Sequence, residues 1–365
     1  MKIKINKDRL MHNINIANKA VVSKTTMNIL ECILLIADEN GIKLISNNLD
    51  MGIETDYFEG NVEEEGKIAL EGKFFSDVIR SCPSQDISID TDEKFITKIK
   101  SGKSEIKMSG RDPEIFPLLP EIAEDLCYNI EAAKFKDMIR KTIFAVASEN
   151  IKPVLTGEYI EINDNDINMV GIDGYRIACG SSQLLKGNDD SFSVIVPGNS
   201  LNEIGRLISD EEEIEMYFTE NHMMVRFKEC TLLTTLIEGK YLKYKHFFTG
   251  DFKTKVVIKK DEVLSCLDRV LLISKDVKKS PVKVQIGENV IELSSISEIL
   301  GSMYESIDCD VTGDGLTIGF NPKYMHEIFK NIDAEEVTVI FNSSLSPCVI
   351  QGEEEYKYLL LPLRL

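Results

Sequence analysis

The chain has 365 residues, 43 % hydrophobic and 28 % charged, with a formal net charge of −19. A single core usually organises about 100–200 residues, so two or three domains are expected. The balance excludes a disordered or low-complexity chain, and the acidity taken alone argues against a nucleic-acid binder with an open basic surface.

The opening residues MKIKINKDRL carry charges with no apolar stretch behind them, so they do not read as a secretory signal. A helix is predicted over 7–24, with Leu10, Ile14 and Ala17 on one stripe. The apolar run from Cys32 to Ala37 opens a β-rich stretch; like Tyr358 to Leu363, it falls far short of the roughly 20 residues that cross a membrane. A short amphipathic helix over 73–80 precedes the alternating DISIDTD, a strand with one buried and one wet face. A joint near 124, in PEIAED, closes a first domain, 1–124.

The pattern then restarts. A helix over 134–141 buries Phe135, Met138 and Ile139, a second covers 198–208, and EEIEMYF alternates; the joint near 250, in FFTGDF, closes 125–250. The third round, 251–365, has a helix over 259–279 with Val263, Leu267 and Val270, a second over 323–330, and the alternating EEVTVIF. Asn28, Pro153 and Pro281 hold equivalent places, 125 and 128 positions apart. A triplicate of helix, strands, helix, strands implies an α+β fold of three similar domains, each packing its helices on one sheet face.

Motifs for chemistry are missing. The eight cysteines never come closer than 36 positions, which leaves no CxxC spacing and no disulfide framework, and suits free thiols in a reducing cytoplasm. The four histidines form no HxxxH pair, so no local metal motif is present. Gly102-Lys103-Ser104 ends like a phosphate loop, but Thr97 stands where that loop requires glycine. No catalytic residue, metal or cofactor is assigned. Two alternatives stay open: an enzyme whose site is assembled from distant residues, and a peptide or small-ligand scaffold that never touches DNA.

Landmarks along the whole length resemble the bacterial DNA polymerase III beta subunit family, the sliding clamps. They are SKTTMNIL (23–30), GRDPEIFPLLP (110–120), FAVASENIKPVLTG (144–157), GIDGYRIA (171–178), VPGNSLNEIGRLISDEEE (196–213), LIEGKY (236–241), IGFNPKYM (318–325), LSP (345–347) and LPLRL (361–365). The resemblance implies three clamp domains per subunit and a head-to-tail homodimeric ring, with helices lining the hole and sheets outside. It implies a cytoplasmic, non-catalytic processivity factor. Such a clamp encircles duplex DNA and tethers the replicative polymerase, clamp loader and repair proteins through short linear peptides, with no membrane partner.

Charge is distributed as such a ring requires. The six helix segments sum to +10, which leaves −29 on the remainder. A basic lining attracts phosphate without reading bases, so binding should be sequence-independent and salt-sensitive. Lys24 lies in a loop that resembles a DNA-touching loop of the family; Arg80, Arg140, Lys141, Lys152, Arg206 and Lys275 are the other candidate contacts. Glu149 stands where the family often has an amide, and a carboxylate facing phosphate is unfavourable, so it is not counted.

The resemblance also implies a pocket for partner peptides. The matching positions are Leu155, Ile172, Gly174, Tyr175, Arg176, Ile177, Leu242, His246, Phe247, Asn321, Tyr324, Met325, Leu345, Pro347, Leu361, Pro362, Leu363 and Arg364. Apolar groups there would bury anchors and a few polar groups would orient the peptide, while Gly174 would permit a tight turn that a Cβ would hinder. Leu242, Tyr175 and Phe247 depart from the residues usual in the family. For ring closure, Ile106 and Met108 match apolar contacts of the first domain, and Leu272 and Ile273 match those of the third. Lys103 and Lys107 are expected to face Glu298 and Glu305.

Overall fold

The computed structural model describes residues 1–122, 127–148, 152–188, 191–208, 213–250, 252–274, 281–297 and 299–365. Glu149, Lys275 and Glu298 lie outside the described residues. The chain gathers into two compact units, one of Met1–Ala133, Leu185–Asn188 and Glu203–Leu236, the other of Lys134–Leu184, Asp189–Asn202 and Ile237–Leu365. No described helix is long and apolar enough to cross a membrane.

Six α-helices are described: α1 (Lys7–Ala17), α2 (Gly72–Ser81), α3 (Ala132–Thr142), α4 (Gly198–Leu207), α5 (Lys260–Ser274) and α6 (Pro322–Lys330). They fall where the three rounds of the sequence require them. The first is shorter than expected. After Ala17 the chain makes a 3-10 turn over Asn18–Ala20, and Val21 is already extended, in keeping with the poor helical fit of the β-branched pair Val21-Val22. At its other end the Asn6 side chain accepts the backbone N–H groups of Asp8 and Arg9 at 3.0 and 3.2 Å, satisfying two donors that a helix start leaves open.

In the first unit, Leu10, Ile14 and Ala17 of α1 and Phe75, Val78 and Ile79 of α2 share one core. Ile3, Ile87 and Ile89 reach it from a five-stranded antiparallel sheet, and Ile33, Leu35 and Leu44 from an eight-stranded one. The strand Cys32–Asp38 is buried on both faces, which is why its sequence is a continuous apolar run instead of an alternation. Ile33 and Leu35 face the helices; Cys32, Leu34 and Ile36 are covered by Ile29, Leu30 and Phe116. The motif around GRDPEIFPLLP is therefore a cover for the second face of this sheet.

The second unit repeats the plan with a nine-stranded and a four-stranded antiparallel sheet. The helical stripes read from sequence are buried: Phe135, Met138 and Ile139 of α3, and Val263, Leu267 and Val270 of α5. α6 starts at Asn321, whose side chain accepts the N–H groups of Lys323 and Tyr324, with Pro322 at the first helical position.

Both large sheets join strands from different thirds of the chain. Cys230–Thr235 pairs with Met51–Thr55, placing Leu232 opposite Ile53. Arg176–Gln183 pairs with Tyr356–Leu360, placing Ile177 opposite Leu359.

Candidate functional site

The second unit carries a groove built around one buried arginine. Between the strands Asp166–Ile172 and Arg176–Gln183, Asp173 Oδ1 accepts the backbone N–H groups of Tyr175 (2.8 Å) and Arg176 (3.0 Å). Gly174, inside this turn, has φ +91°, and a Cβ there would meet nothing within 4 Å. A Cβ would hinder this turn through the left-handed backbone that the turn demands, not through crowding by neighbours.

Arg176 lies across the back of the groove. Its Nε donates to Asp173 Oδ2 at 2.9 Å, Nη1 to Glu327 Oε2 at 2.5 Å, and Nη2 to the Phe144 carbonyl at 2.6 Å. Its guanidinium carbon stands 4.3 Å from the Tyr324 ring centroid and 5.1 Å from that of Phe144. Every face of this cation is thus met by a carboxylate, a carbonyl or a π face, so its burial is compensated. Burial also raises the Tyr324 phenol above its ordinary range. The groove encloses about 800 Å³ and is lined further by Val146, Ala147, Ser148, Lys152, Leu155, Tyr175 and Lys323.

Of the expected pocket residues, Leu155, Gly174, Tyr175, Arg176 and Tyr324 line this groove. Ile172 and Ile177 lie behind it, packed with Tyr244 and Leu359, and Leu155 rests on that cluster. The C-terminal tail borders it: the Leu361 N–H donates to the Tyr175 carbonyl at 2.9 Å and the Leu363 N–H to the Gly319 carbonyl at 2.8 Å, with Pro362 and Arg364 in the same segment. Leu242, His246, Phe247, Leu345 and Pro347 are not among its lining residues. Leu242, His246, Phe247 and Leu345 are exposed, and the rings of His246 and Phe247 sit 4.0 Å apart.

Two assignments need correction. Asn321 spends its side-chain oxygen capping α6, a role legible from the Asn-Pro pair at a helix start. Met325 is buried on the inner side of the same helix. Sequence reasoning missed Phe144, Asp173, Lys323 and Glu327. The last two were findable, since Lys323 and Glu327 stand four positions apart on α6, one helical turn from each other.

The candidate DNA contacts divide sharply. Lys24 is exposed in its loop. Arg80 and Arg206 occupy the last turns of α2 and α4, each paired with the acid three positions earlier, Asp77 or Glu203. A cation at a helix C-terminus is favourable in any case. Arg140 is bound by Asp137 and Asp333, each at 2.5 Å. Lys141 is corrected: its side chain is only 5 % exposed, and its Nζ meets Asp137, Asp333 and Glu353 at 3.1, 2.9 and 2.8 Å. An ammonium so enclosed cannot reach a phosphate. Lys152, expected on the DNA side, lines the groove.

Of the residues assigned to ring closure, Ile106, Lys107, Met108 and Glu305 lie on strands at sheet edges. Ser104–Ser109 is the edge strand of the five-stranded sheet, and Gly301–Asp308 the edge of the four-stranded one. Lys103 and Lys107 are exposed on the first edge. Met108 points inward and is 4 % exposed in the helix core, with Ile106 packed against the same cluster; Met108 as an intersubunit contact is therefore corrected. Glu305 is held by both Arg269 nitrogens, Nε and Nη2, within its own unit, so it is not a free partner for a lysine. That pairing also holds its carboxyl below the ordinary range. Leu272 is exposed and Ile273 half-buried on α5.

Family comparisons match these thirds in order. Residues 1–120 match the model of the DNA polymerase III beta subunit N-terminal domain, 129–243 its central domain and 245–364 its C-terminal domain. The chain is 32 % identical to the beta sliding clamp of Halalkalibacterium halodurans over all of both chains, and 32 % identical to that of Staphylococcus aureus, covering 100 % of this chain and 99 % of the other. The crystal structure of the Bacillus subtilis sliding clamp superposes with a TM-score of 0.96 at 30 % identity, covering 100 % of this chain and 99 % of that one. The Streptococcus pyogenes beta subunit does so with 0.95 at 29 %, over all of both chains. With its three α+β domains, the chain belongs to the DNA polymerase III beta subunit family.

Proposed function

We propose that this chain is a sliding clamp: two copies close head to tail into a ring that surrounds duplex DNA in the cytoplasm and holds the replicative polymerase there. The clamp performs no chemistry. Retention comes from topology, so contacts with the phosphates can stay weak and non-specific, as sliding requires. Lys24, Arg80 and Arg206 are the exposed cations that support a DNA-facing role; Lys275 remains a candidate by position. The domain boundaries near 124 and 250 are proposed on the spacing of the repeat.

The observation that supports the ring is that residues assigned to closure lie on two strands that end their sheets. Ser104–Ser109 and Gly301–Asp308 each end a sheet, and unpaired edges are templates for pairing with another chain. Beside the second edge, Leu272, Ile296 and Tyr304 are exposed apolar side chains that a partner would cover. Two such heterologous contacts close a ring when the rotation returns on itself.

The groove around Arg176 is the docking site for the linear peptides of the polymerase, clamp loader and repair factors. The test is retention after loading on circular and on linearised DNA in moderate salt. Retention on circles with loss from linear ends is expected. Equal loss from both would favour a peptide-binding scaffold that never surrounds DNA.

A further inference from the structure

We propose that Arg269 restrains ring closure: it holds Glu305 inside its own subunit and so withholds that carboxylate from the edge of the second copy. This rests on closure through the strands Ser104–Ser109 and Gly301–Asp308. The two edges differ in charge. The outer two strands of the five-stranded sheet and the turn between them carry Lys98, Lys100, Lys103 and Lys107 against a single carboxylate, Glu105. That carboxylate stands 3.7 Å from Lys100 Nζ and 4.0 Å from Lys107 Nζ, at the limit of ion pairing, so most of the positive charge is left over. The outer two strands of the four-stranded sheet, Val290–Ser297 and Gly301–Asp308, carry Glu292, Glu305 and Asp308 and no lysine or arginine. Opposite fields of this kind steer two copies together and select how they meet.

Arg269 is a cation set into the acidic edge. It reaches from α5 and takes both oxygens of Glu305: Nη2 donates to Oε2 at 2.6 Å, and Nε donates to Oε1. Glu305 lies opposite Leu293 and two positions before Ile307, and both of those are buried, which puts its side chain on the sheet face that α5 covers. Leu272, three positions after Arg269 and therefore beside it on α5, is exposed. The pair thus stands at the margin that a second copy would cover. Two effects of Arg269 have the same sign. Its fork occupies the carboxylate, and its own charge repels the lysines of the arriving edge. The Arg269 side chain is 52 % exposed, so the pair is solvated and weak. Closure is therefore moderated, not blocked. A ring takes up DNA that has no free end only by opening, and a restraint of this size keeps the opening step within reach.

The experiment uses the full-length chain, with the dimer dissociation constant read by sedimentation over a dilution series in about 0.1 M salt. Arg269→Gln should tighten the dimer about fivefold. The gain should disappear in about 0.5 M salt, and also when Lys103→Gln and Lys107→Gln are added. Glu305→Gln should change little in the wild-type background, where the carboxylate is already occupied, yet reverse the gain in the Arg269→Gln background. Arg269→Lys, which keeps the charge and loses the fork, should fall between wild type and Arg269→Gln; it decides the matter if the glutamine variant melts early. A dimer weakened by Arg269→Gln and by Arg269→Lys would overturn the proposal and make the fork a support for closure. A dissociation constant that neither variant moves would overturn it by placing the pair outside the contact. Both results leave the ring standing. A wild-type chain that stays monomeric at every concentration would instead overturn closure itself, and the restraint with it.

Discussion

Arg176 Nη1 and Glu327 Oε2 stand 2.5 Å apart, although 151 positions separate the two residues in the chain. The contact pins the strand that begins at Arg176 to α6, and both elements supply residues to the groove lining. Replacing Arg176 by Ala would strand the nearly buried Asp173 carboxylate and remove the Phe144 carbonyl's donor. Loss of a buried pair by truncating one partner costs about 3–5 kcal/mol. The expected outcome is a lower urea midpoint for Arg176→Ala and a smaller loss for Glu327→Gln, which still accepts a hydrogen bond. Equal, small losses for both would show that the arginine is solvated and not a pin.

Lys141 offers a second stability test that also separates structure from DNA binding. Burial by itself would lower its ammonium, but the hydrogen bonds it donates to Glu353, Asp333 and Asp137 outweigh that and raise it. The cation also lies 4.3 Å from the Tyr356 ring centroid. Lys141→Met should destabilise the fold by roughly 3 kcal/mol, since three carboxylates lose their shared partner. The salt dependence of DNA binding should be unchanged in this variant, whereas Lys24→Ala should reduce that slope by about 1. A reduced slope for Lys141→Met would return it to the DNA-facing set.

Glu158 gives a pH-dependent prediction. It is fully buried, and neither of its carboxyl oxygens has a hydrogen-bond partner among the described residues. The nearby Thr142 hydroxyl donates instead to the Met138 carbonyl at 2.5 Å. Burial pushes the Glu158 carboxyl up to about 8, against a small opposing effect of Thr142. The folded state therefore keeps a proton that the unfolded state releases above its ordinary value of 4.5. Stability attributable to this residue falls as pH rises from about 4.5 to about 8, then levels off. Glu158→Gln removes the titration without changing shape. Relative to wild type it should gain on the order of 3 kcal/mol between pH 5 and pH 8, read from paired urea titrations. A constant offset across that range would mean that Glu158 is ionised in the fold.

Gly174 separates conformational strain from crowding. With φ at +91° and open space around a would-be Cβ, Gly174→Ala should cost about 1–2 kcal/mol through the backbone alone. Gly174→Asn should cost less, because asparagine tolerates positive φ better. Peptide affinity should follow the same order. A larger penalty for Asn than for Ala would point to crowding instead.

Much of the architecture was legible because it is local. The stripes Leu10–Ile14–Ala17, Phe135–Met138–Ile139 and Val263–Leu267–Val270 are buried as their spacing requires, and the alternating strands follow α2, α4 and α6. The inward turn of Met108 was also available, since it shares the strand face of Ile106 two positions earlier. The cap at Asn321 was available from the proline that follows it.

Sequence by itself determined the three rounds of helices and strands and the buried face of each, because periods of 3.6 and 2 show which side chains share a face, while the family was legible in the ordered landmark motifs. Tertiary structure alone decided the fate of the charges. Arg140 and Lys141 are neighbours in one helical turn, yet Arg140 is partly exposed while Lys141 is enclosed by Glu353 from 212 positions away. Lys152 lies at the groove, and Arg176 is neutralised by a carboxylate on a distant helix. The energy of a buried charge depends on partners and solvent within a few ångströms, and that neighbourhood exists only once the chain has folded.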